Sequence, residues 1–306
     1  MTASQPERKT PVSPHAYLVL AGGVLSLGLS PIFIRWADAP GTVTSMYRMA
    51  IAACILTLPF LRTVRRSKPL PLRAVMLAVG GGFFFALDIG FWATGVKLAG
   101  ATNPTLLDTI APLWVGLFSL LLFKKHLGKG FWVGLSIALA GAAVILGLDM
   151  QTDLQQAKGA LLGLLGGVFY GGYVMFIERA RVELNTMTSF WLSTASSALF
   201  LLLFNLAIGH PLTGYGASTV LAFLGAGLLS QIGGFLSVTF SLGYLPSTIV
   251  APALLIQPVA TALFAFPLLG ERLRLWQITG GAAVLFGLYL IQRGQDREDL
   301  SPVVPS

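Results

Sequence analysis

The sequence predicts an all-α integral membrane protein of ten transmembrane helices, arranged as two inverted repeats of five helices each. Three observations support this fold class. Apolar residues make up 55% of the 306 residues and charged residues only 10%, too few to cover a soluble surface. The apolar residues fall into ten runs of about the twenty residues that an α-helix needs to cross hydrocarbon. Finally, one segment of thirty residues occurs twice, once in each half of the chain.

The ten apolar runs follow one another with short connections, and none shows the alternating pattern of a transmembrane β-strand. We expect spans at about residues 16–36, 42–61, 74–97, 104–123, 131–148, 159–178, 187–208, 219–243, 247–269 and 278–293. The polar ends, residues 1–15 and 294–306, are expected to be cytoplasmic tails. The two five-helix repeats then cover residues 16–148 and 159–293.

The repeated segment is Pro112–Gly141, which aligns without a gap on Pro258–Gly287. The identical pairs are Pro112/Pro258, Leu117/Leu263, Phe118/Phe264, Leu122/Leu268, Leu127/Leu273, Gly134/Gly280, Leu139/Leu285 and Gly141/Gly287. Eight identities exceed the roughly two or three expected by chance in a chain this rich in Leu and Gly. Because each repeat has an odd number of spans, the second repeat must enter the membrane from the opposite side.

The distribution of Lys and Arg predicts the orientation of the chain. With the amino terminus in the cytoplasm, fourteen of these residues lie on the inner side and five on the outer side. This positive-inside bias predicts that both termini lie in the cytoplasm. We expect the protein to lie in the inner membrane. The bias also accounts for the net charge of +8, since no basic stripe interleaved with aromatic residues indicates nucleic-acid binding. The loop with Glu271, Arg272 and Arg274 is the exception, because it would face outward.

Spans four and nine contain the most helix interruptions. Pro104 and Pro112 lie in span four, and Pro252, Pro258 and Pro267 lie in span nine. Interrupted helices at matching positions of two repeats indicate a binding site at the repeat interface. We therefore assign Pro112 and Pro258 a structural or gating role; the alternative is a simple packing kink.

Two carboxylates and one arginine fall inside predicted spans. Asp88 lies midway along span three, Asp108 lies about one turn into span four, and Arg48 lies in span two. A charge at such a depth costs roughly 2.5–3.5 kcal/mol, so these groups are expected to face a cavity. Trp92 shares a helical face with Asp88, which suits a ligand with an amino group and an apolar body. Proton coupling and a structural pairing of either carboxylate with Arg48 are the alternatives.

Three weaker polar candidates complete the predicted site. Tyr170 lies in span six, Gln231 in span eight and Gln257 in span nine. Their side chains can form hydrogen bonds with a substrate or with a neighbouring helix.

Several catalytic motifs are absent from the sequence. It contains no Gly-x4-Gly-Lys-Ser/Thr loop, no His-Glu-x-x-His and no Gly-x-Ser-x-Gly. The single cysteine, Cys54, excludes a disulfide within one chain. We therefore expect no enzyme activity, no cofactor and no metal site.

The residues around the repeat resemble a known superfamily. Pro258, the run Gly270-Glu271-Arg272-Leu273, Gly280 and Gly287 are similar to the drug/metabolite transporter superfamily in its ten-helix, EamA-type branch. Arg48 also matches a frequent arginine of that family, and Glu271 matches its glutamate after the ninth span. Lys125 replaces this glutamate in the first repeat, so we assign Glu271 a structural role.

The resemblance implies a secondary carrier with a central cavity that opens alternately to the two sides of the membrane. Among family members, the chain looks most like bacterial exporters of aromatic amino acids. We therefore expect export of amino acids that are aromatic or neutral and apolar. The alternatives are export of lipophilic cations or other small metabolites and, more remotely, a membrane-embedded enzyme. The expected partners are a small-molecule substrate and the lipid bilayer, without nucleic acid; a monomer is compatible with the sequence.

The predicted roles follow from the chemistry of each side chain. Asp88 would bind the ammonium group, Trp92 would stack on a ring, and the glutamines would bind the polar end of the substrate. The predicted substrate-binding residues are Asp88, Trp92, Asp108, Tyr170, Gln231 and Gln257. The predicted structural or gating residues are Arg48, Pro112, Pro258 and Glu271.

Overall fold

The computed structural model describes residues 14–65, 69–123, 128–242, 245 and 247–299. Across these residues the chain is helical and contains no strand. The α-helices are α1 (Pro14–Gly28), α2 (Ser30–Trp36), α3 (Gly41–Arg65), α4 (Leu72–Ala99), α5 (Thr102–Asp108), α6 (Ala111–Phe123), α7 (Lys129–Thr152), α8 (Leu154–Ala180), α9 (Thr186–Ile208), α10 (Ala217–Gly225), α11 (Phe235–Leu242), α12 (Ser247–Leu254), α13 (Ile256–Leu269) and α14 (Leu275–Asp299). A π-helical segment, Ala226–Gly234, connects α10 to α11.

The described helices confirm an all-α integral membrane protein. Eight stretches are long and apolar enough to cross a bilayer: His15–Trp36, Gly41–Arg65, Leu72–Ala99, Lys129–Thr152, Leu154–Ala180, Thr186–Ile208, Ala217–Val238 and Leu275–Arg293. The other two predicted spans are each divided into two helices, α5 with α6 and α12 with α13. Residues 1–13 and 300–306 of the predicted tails, and Lys125, lie outside the described residues, whereas α14 continues through residues 294–299.

The two divided spans break at matching positions because of a matching proline. Pro112 lies in the first turn of α6, and Pro258 lies in the first turn of α13. A proline ring clashes with the carbonyl group four residues earlier, so it suits a first helical turn and ends the preceding helix. The preceding helices α5 and α12 end at Asp108 and Leu254, each four residues before its proline.

The contact between α7 and α14 shows the inverted relation of the two repeats. A Cβ atom added at Gly134 would lie 2.5 Å from the carbonyl oxygen of Gly287. One added at Gly141 would lie 2.5 Å from the carbonyl oxygen of Gly280. Gly134 and Gly280 are repeat counterparts, as are Gly141 and Gly287, so each contact is the other after exchange of the repeats. Such reciprocal contacts indicate a local two-fold relation between antiparallel helices.

Spans one and eight depart from continuous α-helix. In span one, α1 ends at Gly28 and α2 begins at Ser30, just before Pro31. Its repeat counterpart, span six, is the uninterrupted helix α8. In span eight the π-helical segment widens the backbone at Ser230 and Gln231, and such segments are frequent at functional sites. The two repeats therefore share a topology but differ in local conformation.

A buried carboxylate joins three helices near one end of the bundle. Asp149 of α7 is fully buried and accepts hydrogen bonds from Asn103 Nδ2 at 3.1 Å, Trp276 Nε1 at 3.0 Å and Gln277 Nε2 at 3.1 Å. These donors lie on α5 and α14, so one side chain connects both repeats.

We give the two ends of the bundle separate names. The Asp149 cluster lies at the end away from the start of α1, which we call the opposite face. The end at which α1 begins is the amino-terminal face.

Candidate functional site

A cavity of about 310 Å³ lies between the two repeats in the middle of the bundle. This volume is at the lower end of the range for small-molecule pockets. The lining residues are Leu27, Ser30, Arg48, Phe85, Asp88, Ile89, Trp92, Asp108, Thr109, Ala111, Pro112, Tyr170, Phe235, Val238, Leu254, Leu255, Gln257 and Gln292. The cavity therefore combines charged, aromatic and aliphatic side chains from both repeats.

Both helix breaks border this cavity. Asp108 and Thr109 line it at the end of α5, and Leu254 and Leu255 line it at the end of α12. Backbone groups freed by a broken helix are tolerated in a membrane where they are buried in protein or face a cavity. The matching prolines thus account both for the shape of the two spans and for the position of the cavity.

Two carboxyl groups lie close together on one wall. A Cβ atom added at Gly166 would lie 2.9 Å from Asp108 Oδ1 and 3.2 Å from Asp88 Oδ1. Both oxygens are buried, and outside the carboxyl pair itself neither has a hydrogen-bond partner among the described residues. Such atoms are costly in an apolar interior, so they are candidates for binding a donor from a ligand. Within the same residues, no three His, Cys, Asp or Glu side chains are grouped to hold a metal ion.

Arg48 supplies the positive charge of the cavity. Its side chain is only 5% exposed, and its guanidinium donates to Gln231 Oε1 at 2.9 Å and to Ser30 Oγ at 2.6 Å. The guanidinium carbon also lies 5.8 Å from the centre of the Trp92 ring, in range of a cation–π interaction. A guanidinium has five N–H donors, more than these two acceptors use. Arg48 is therefore held rigidly and still has donors for a ligand.

The aromatic part of the cavity is built around Phe85. Its ring stacks on Tyr173 at 4.6 Å and lies 6.3 Å from both Tyr170 and Phe235. Trp92 is fixed differently, because its indole N–H donates to Thr105 Oγ1 at 3.1 Å. Since Arg48 lies over the Trp92 ring, the rings of Phe85, Tyr170 and Phe235 offer a ligand the larger apolar surface.

The cavity is closed toward the opposite face. A fully buried apolar cluster lies on the side of the cavity toward that face. It consists of Ile32 in α2, Ala101 directly before α5, and Ala265 in α13. Beside this cluster, Glu271 accepts hydrogen bonds from the backbone N–H of Ala101 at 2.6 Å and from Thr102 Oγ1 at 3.1 Å. Glu271 therefore lies at the start of α5 and ties the loop before α14 to the first repeat.

The structure brings most of the predicted site residues together. Those that line the cavity are Asp88, Trp92, Asp108, Tyr170 and Gln257, together with Arg48 and Pro112. Gln231 does not line it but binds Arg48. Pro258 is buried in the first turn of α13, and Glu271 lies at the opposite face.

Sequence reasoning missed other lining residues, among them Ser30, Phe235 and Gln292. Ser30 could have been found, because it is a polar residue directly before Pro31, which marks a helix break inside a span. Phe235 gives no such signal, since many phenylalanines in these spans face lipid instead. Gln292 lies close to the predicted end of the last span, where a polar residue is ordinary.

Comparison with known proteins agrees with this architecture. The model of the EamA-like transporter family matches residues 15–147 and again residues 157–293. An uncharacterized transporter of Archaeoglobus fulgidus is 25% identical over 219 residues, covering 70% of this chain and 74% of that protein. The uncharacterized transporter YdfC of Bacillus subtilis is 21% identical over 247 residues, covering 80% of this chain and 79% of YdfC.

A solved crystal structure shares the fold, with a TM-score of 0.61 at 18% sequence identity. The match covers 90% of this chain and 96% of the other. The family match covers nearly all of both repeats, in agreement with the two similar helical units of this structure. The chain therefore belongs to the EamA-like transporter family, within the drug/metabolite transporter superfamily, and is a multi-pass membrane transporter.

Proposed function

We propose that this transporter exports amino acids, those with aromatic or other neutral apolar side chains, by alternating access around the cavity between its repeats. One observation carries the substrate class. The cavity combines a guanidinium, a pair of carboxyl groups and an aromatic wall. A zwitterion with an apolar side chain has the complementary three groups, a carboxylate, an ammonium group and a hydrophobic body.

Each part of such a substrate has a matching part of the cavity. The ammonium group would donate to the Oδ1 atoms of Asp88 and Asp108, which have no partner outside the carboxyl pair among the described residues. The substrate carboxylate would accept from Arg48, which Ser30 and Gln231 hold in place. The apolar side chain would then pack beside Phe85 and the adjoining aromatic rings, with Gln257 available to polar substituents.

The direction of transport is proposed from charge and closure together. The excess of Lys and Arg at the amino-terminal face favours a cytoplasmic position for that face in the inner membrane. The cluster of Ile32, Ala101 and Ala265 separates the cavity from the opposite face. A cavity closed on the outer side can take up substrate from the cytoplasm, as the first step of an export cycle requires.

The first test is counterflow into liposomes that contain the purified full-length protein. Labelled phenylalanine is the tracer, and unlabelled tryptophan, tyrosine, leucine and glutamate are the competitors. We expect saturable exchange that the three apolar or aromatic amino acids inhibit and glutamate does not. Asp88→Asn should lower the exchange at least tenfold, because a hydrogen bond between charged groups contributes about 1.5–3 kcal/mol.

The matched control is Asp153→Asn. Asp153 caps α8 by accepting hydrogen bonds from the backbone N–H groups of Gln155 and Gln156, and asparagine is an equally good cap. This variant should exchange phenylalanine at the wild-type rate. Absence of any amino-acid exchange by wild-type protein would overturn the substrate class, and an unchanged rate in Asp88→Asn would remove Asp88 from the binding site.

Export of lipophilic cations is the second candidate, since paired carboxyl groups beside aromatic rings also suit an organic cation. Arg48 decides between the two, because a cation without a carboxylate gains nothing from a guanidinium. Competition by phenethylamine and by tetraphenylphosphonium separates them. Weak competition by both, compared with phenylalanine, supports the amino-acid proposal, whereas stronger competition by either supports the cation.

A further inference from the structure

A second cavity, of about 650 Å³, lies on the lipid-facing side of the bundle, away from the central cavity. It runs between α4 and α9, and Leu162 of α8 forms one edge. Much of its lining is accessible from the bilayer: Phe204 is 49% exposed and Ile208 51% exposed. The cavity is therefore a groove open to lipid, and it shares no lining residue with the central cavity.

The groove is apolar along most of its length. It extends from Phe83, whose ring meets that of Phe200 edge-on at 5.2 Å, to Lys97 near the end of α4. The fourteen helical steps from Phe83 to Lys97 correspond to about 21 Å at the rise of about 1.5 Å per residue. One leaflet contributes about half of the roughly 30 Å hydrocarbon core. The groove is thus long enough to hold an acyl chain over the full depth of a leaflet.

The end of the groove at the opposite face is basic. Lys97 is the one charged residue of the lining, and its ammonium group donates to the carbonyl oxygen of Ala37. An ammonium group has three donors, so this bond leaves two for a ligand. Arg35 is exposed beside it and donates to the carbonyl oxygen of Lys97 at 3.0 Å. The two cations outnumber Asp38, the acidic residue of the adjoining turn.

We propose that this groove binds an anionic glycerophospholipid, such as phosphatidylglycerol, from the leaflet at the opposite face. One acyl chain lies along the groove between α4 and α9, and the phosphate group lies between Lys97 and Arg35. Two features of the groove together select this occupant. The groove is apolar over the depth of one leaflet, and its positive charge lies only at the end near the membrane surface. Lys and Arg side chains near a membrane surface attract anionic head groups, by about 1 kcal/mol for each side chain. The site is independent of the proposed transport substrate.

Native mass spectrometry of the full-length protein, released from detergent micelles, tests the proposal. The protein is titrated with phosphatidylglycerol or phosphatidylcholine carrying the same acyl chains, and the fraction with one bound lipid is measured. Phosphatidylglycerol should bind about fivefold more tightly than phosphatidylcholine, the effect expected from one basic side chain at the membrane surface. Lys97→Ala should lower that preference, and Lys97→Ala combined with Arg35→Ala should abolish it.

A groove-filling variant and a charge control keep the test specific. The hydroxyl of Thr94 binds only the carbonyl oxygen of Gly90 on its own helix, at 2.7 Å, so Thr94→Phe fills the groove without breaking a bond between helices. It should weaken the binding of both lipids. Lys158→Ala removes an exposed lysine at the same face but outside the groove and should leave binding unchanged. Circular dichroism of each variant confirms folding.

Three outcomes would overturn the proposal. The first is equal loss of binding in Lys97→Ala and Lys158→Ala, which would indicate a general charge effect. The second is unchanged lipid binding in Thr94→Phe. The third is a dimer that disappears in Thr94→Phe while no lipid is retained, because the occupant of the groove would then be a second copy of the chain.

Discussion

Arg48 shows how one residue connects the two repeats at the centre of the cavity. It lies on α3 of the first repeat, and its Nε donates to Gln231 in the π-helical segment of the second repeat. A regular α-helix would place the side chains of that segment at different angles, so the π-helical turn sets the position of Gln231. The geometry of the guanidinium thus depends on a residue that does not line the cavity.

Gln231→Met should therefore weaken substrate binding without removing a cavity residue. Methionine has a similar length but offers no carbonyl acceptor, and a hydrogen bond to a charged donor contributes about 1.5–3 kcal/mol. We expect the apparent affinity for phenylalanine in counterflow to fall about tenfold or more. Gln155→Met, at an exposed position on α8, is the control. Equal affinities for the two variants would show that Arg48 needs no support from Gln231.

A glycine pair gives a second prediction at this scale. Gly22-Gly23-Val24 of span one aligns on Gly166-Gly167-Val168 of span six. A methyl group at Gly166 would lie 2.9 Å from Asp108 Oδ1, whereas one at its repeat counterpart Gly22 would meet nothing within 4 Å. To make room, the Asp108 carboxyl group would have to move from the position in which it faces the cavity, and a hydrogen bond to a charged group contributes about 1.5–3 kcal/mol. Gly166→Ala should therefore lower phenylalanine exchange by about tenfold or more, while Gly22→Ala should exchange at the wild-type rate. Similar rates in both variants would argue against close packing of α8 on the carboxyl pair.

At the scale of elements, the sequence predicts the broken spans better than the contacts between helices. Pro112 and Pro258 identify both breaks, because the effect of proline on a helix is local and almost independent of context. The Asp149 cluster could not be predicted in the same way. Asp149 lies near the end of a span, where a charge is ordinary, and its donors Asn103 and Gln277 are 46 and 128 residues away. Only tertiary structure brings them together.

Asp149→Ala should destabilise the protein more than any single surface change on the same face. It would leave buried donors of Asn103, Trp276 and Gln277 without their acceptor, at about 1–3 kcal/mol for each unsatisfied group. Thermal unfolding in detergent, followed by circular dichroism, measures the effect. Asp153→Ala is the comparison, since losing a helix cap costs only about 1 kcal/mol. An equal decrease in the unfolding temperature would mean that the Asp149 cluster adds little stability.

At the scale of the whole molecule, closure of the opposite face gives a test of alternating access. Ala101 and Ala265 belong to one buried cluster but to different repeats, so a transport cycle has to separate them. In a Cys54→Ser background, cysteines at both positions are joined with a short thiol-specific cross-linker that a reductant cleaves. Cross-linking should stop phenylalanine exchange, and reduction should restore it. Continued exchange by fully cross-linked protein would exclude opening at this face.

The overall architecture was predictable because repeat number, span length and charge bias are global properties of the sequence. The conformational difference between the repeats was predictable only in part. Span one breaks at Pro31, whereas the continuous span six contains no proline, so the local sequence does mark this difference. The π-helical segment of span eight contains no proline either, so no local signal of this kind marks it.

The reciprocal glycine contacts between α7 and α14 make that difference significant. Because Gly134 meets Gly287 in the same way that Gly141 meets Gly280, this pair of helices stays unchanged when the repeats exchange roles. A molecule in which the two repeats exchanged their present shapes would be related to the present one by a two-fold rotation about an axis in the membrane plane, and its cavity would open to the other side of the membrane. The contact between α7 and α14 can therefore stay the same in both states and serve as the hinge between them. The free-energy difference between the inward-open and outward-open forms would then arise only from the local sequence differences between the two repeats.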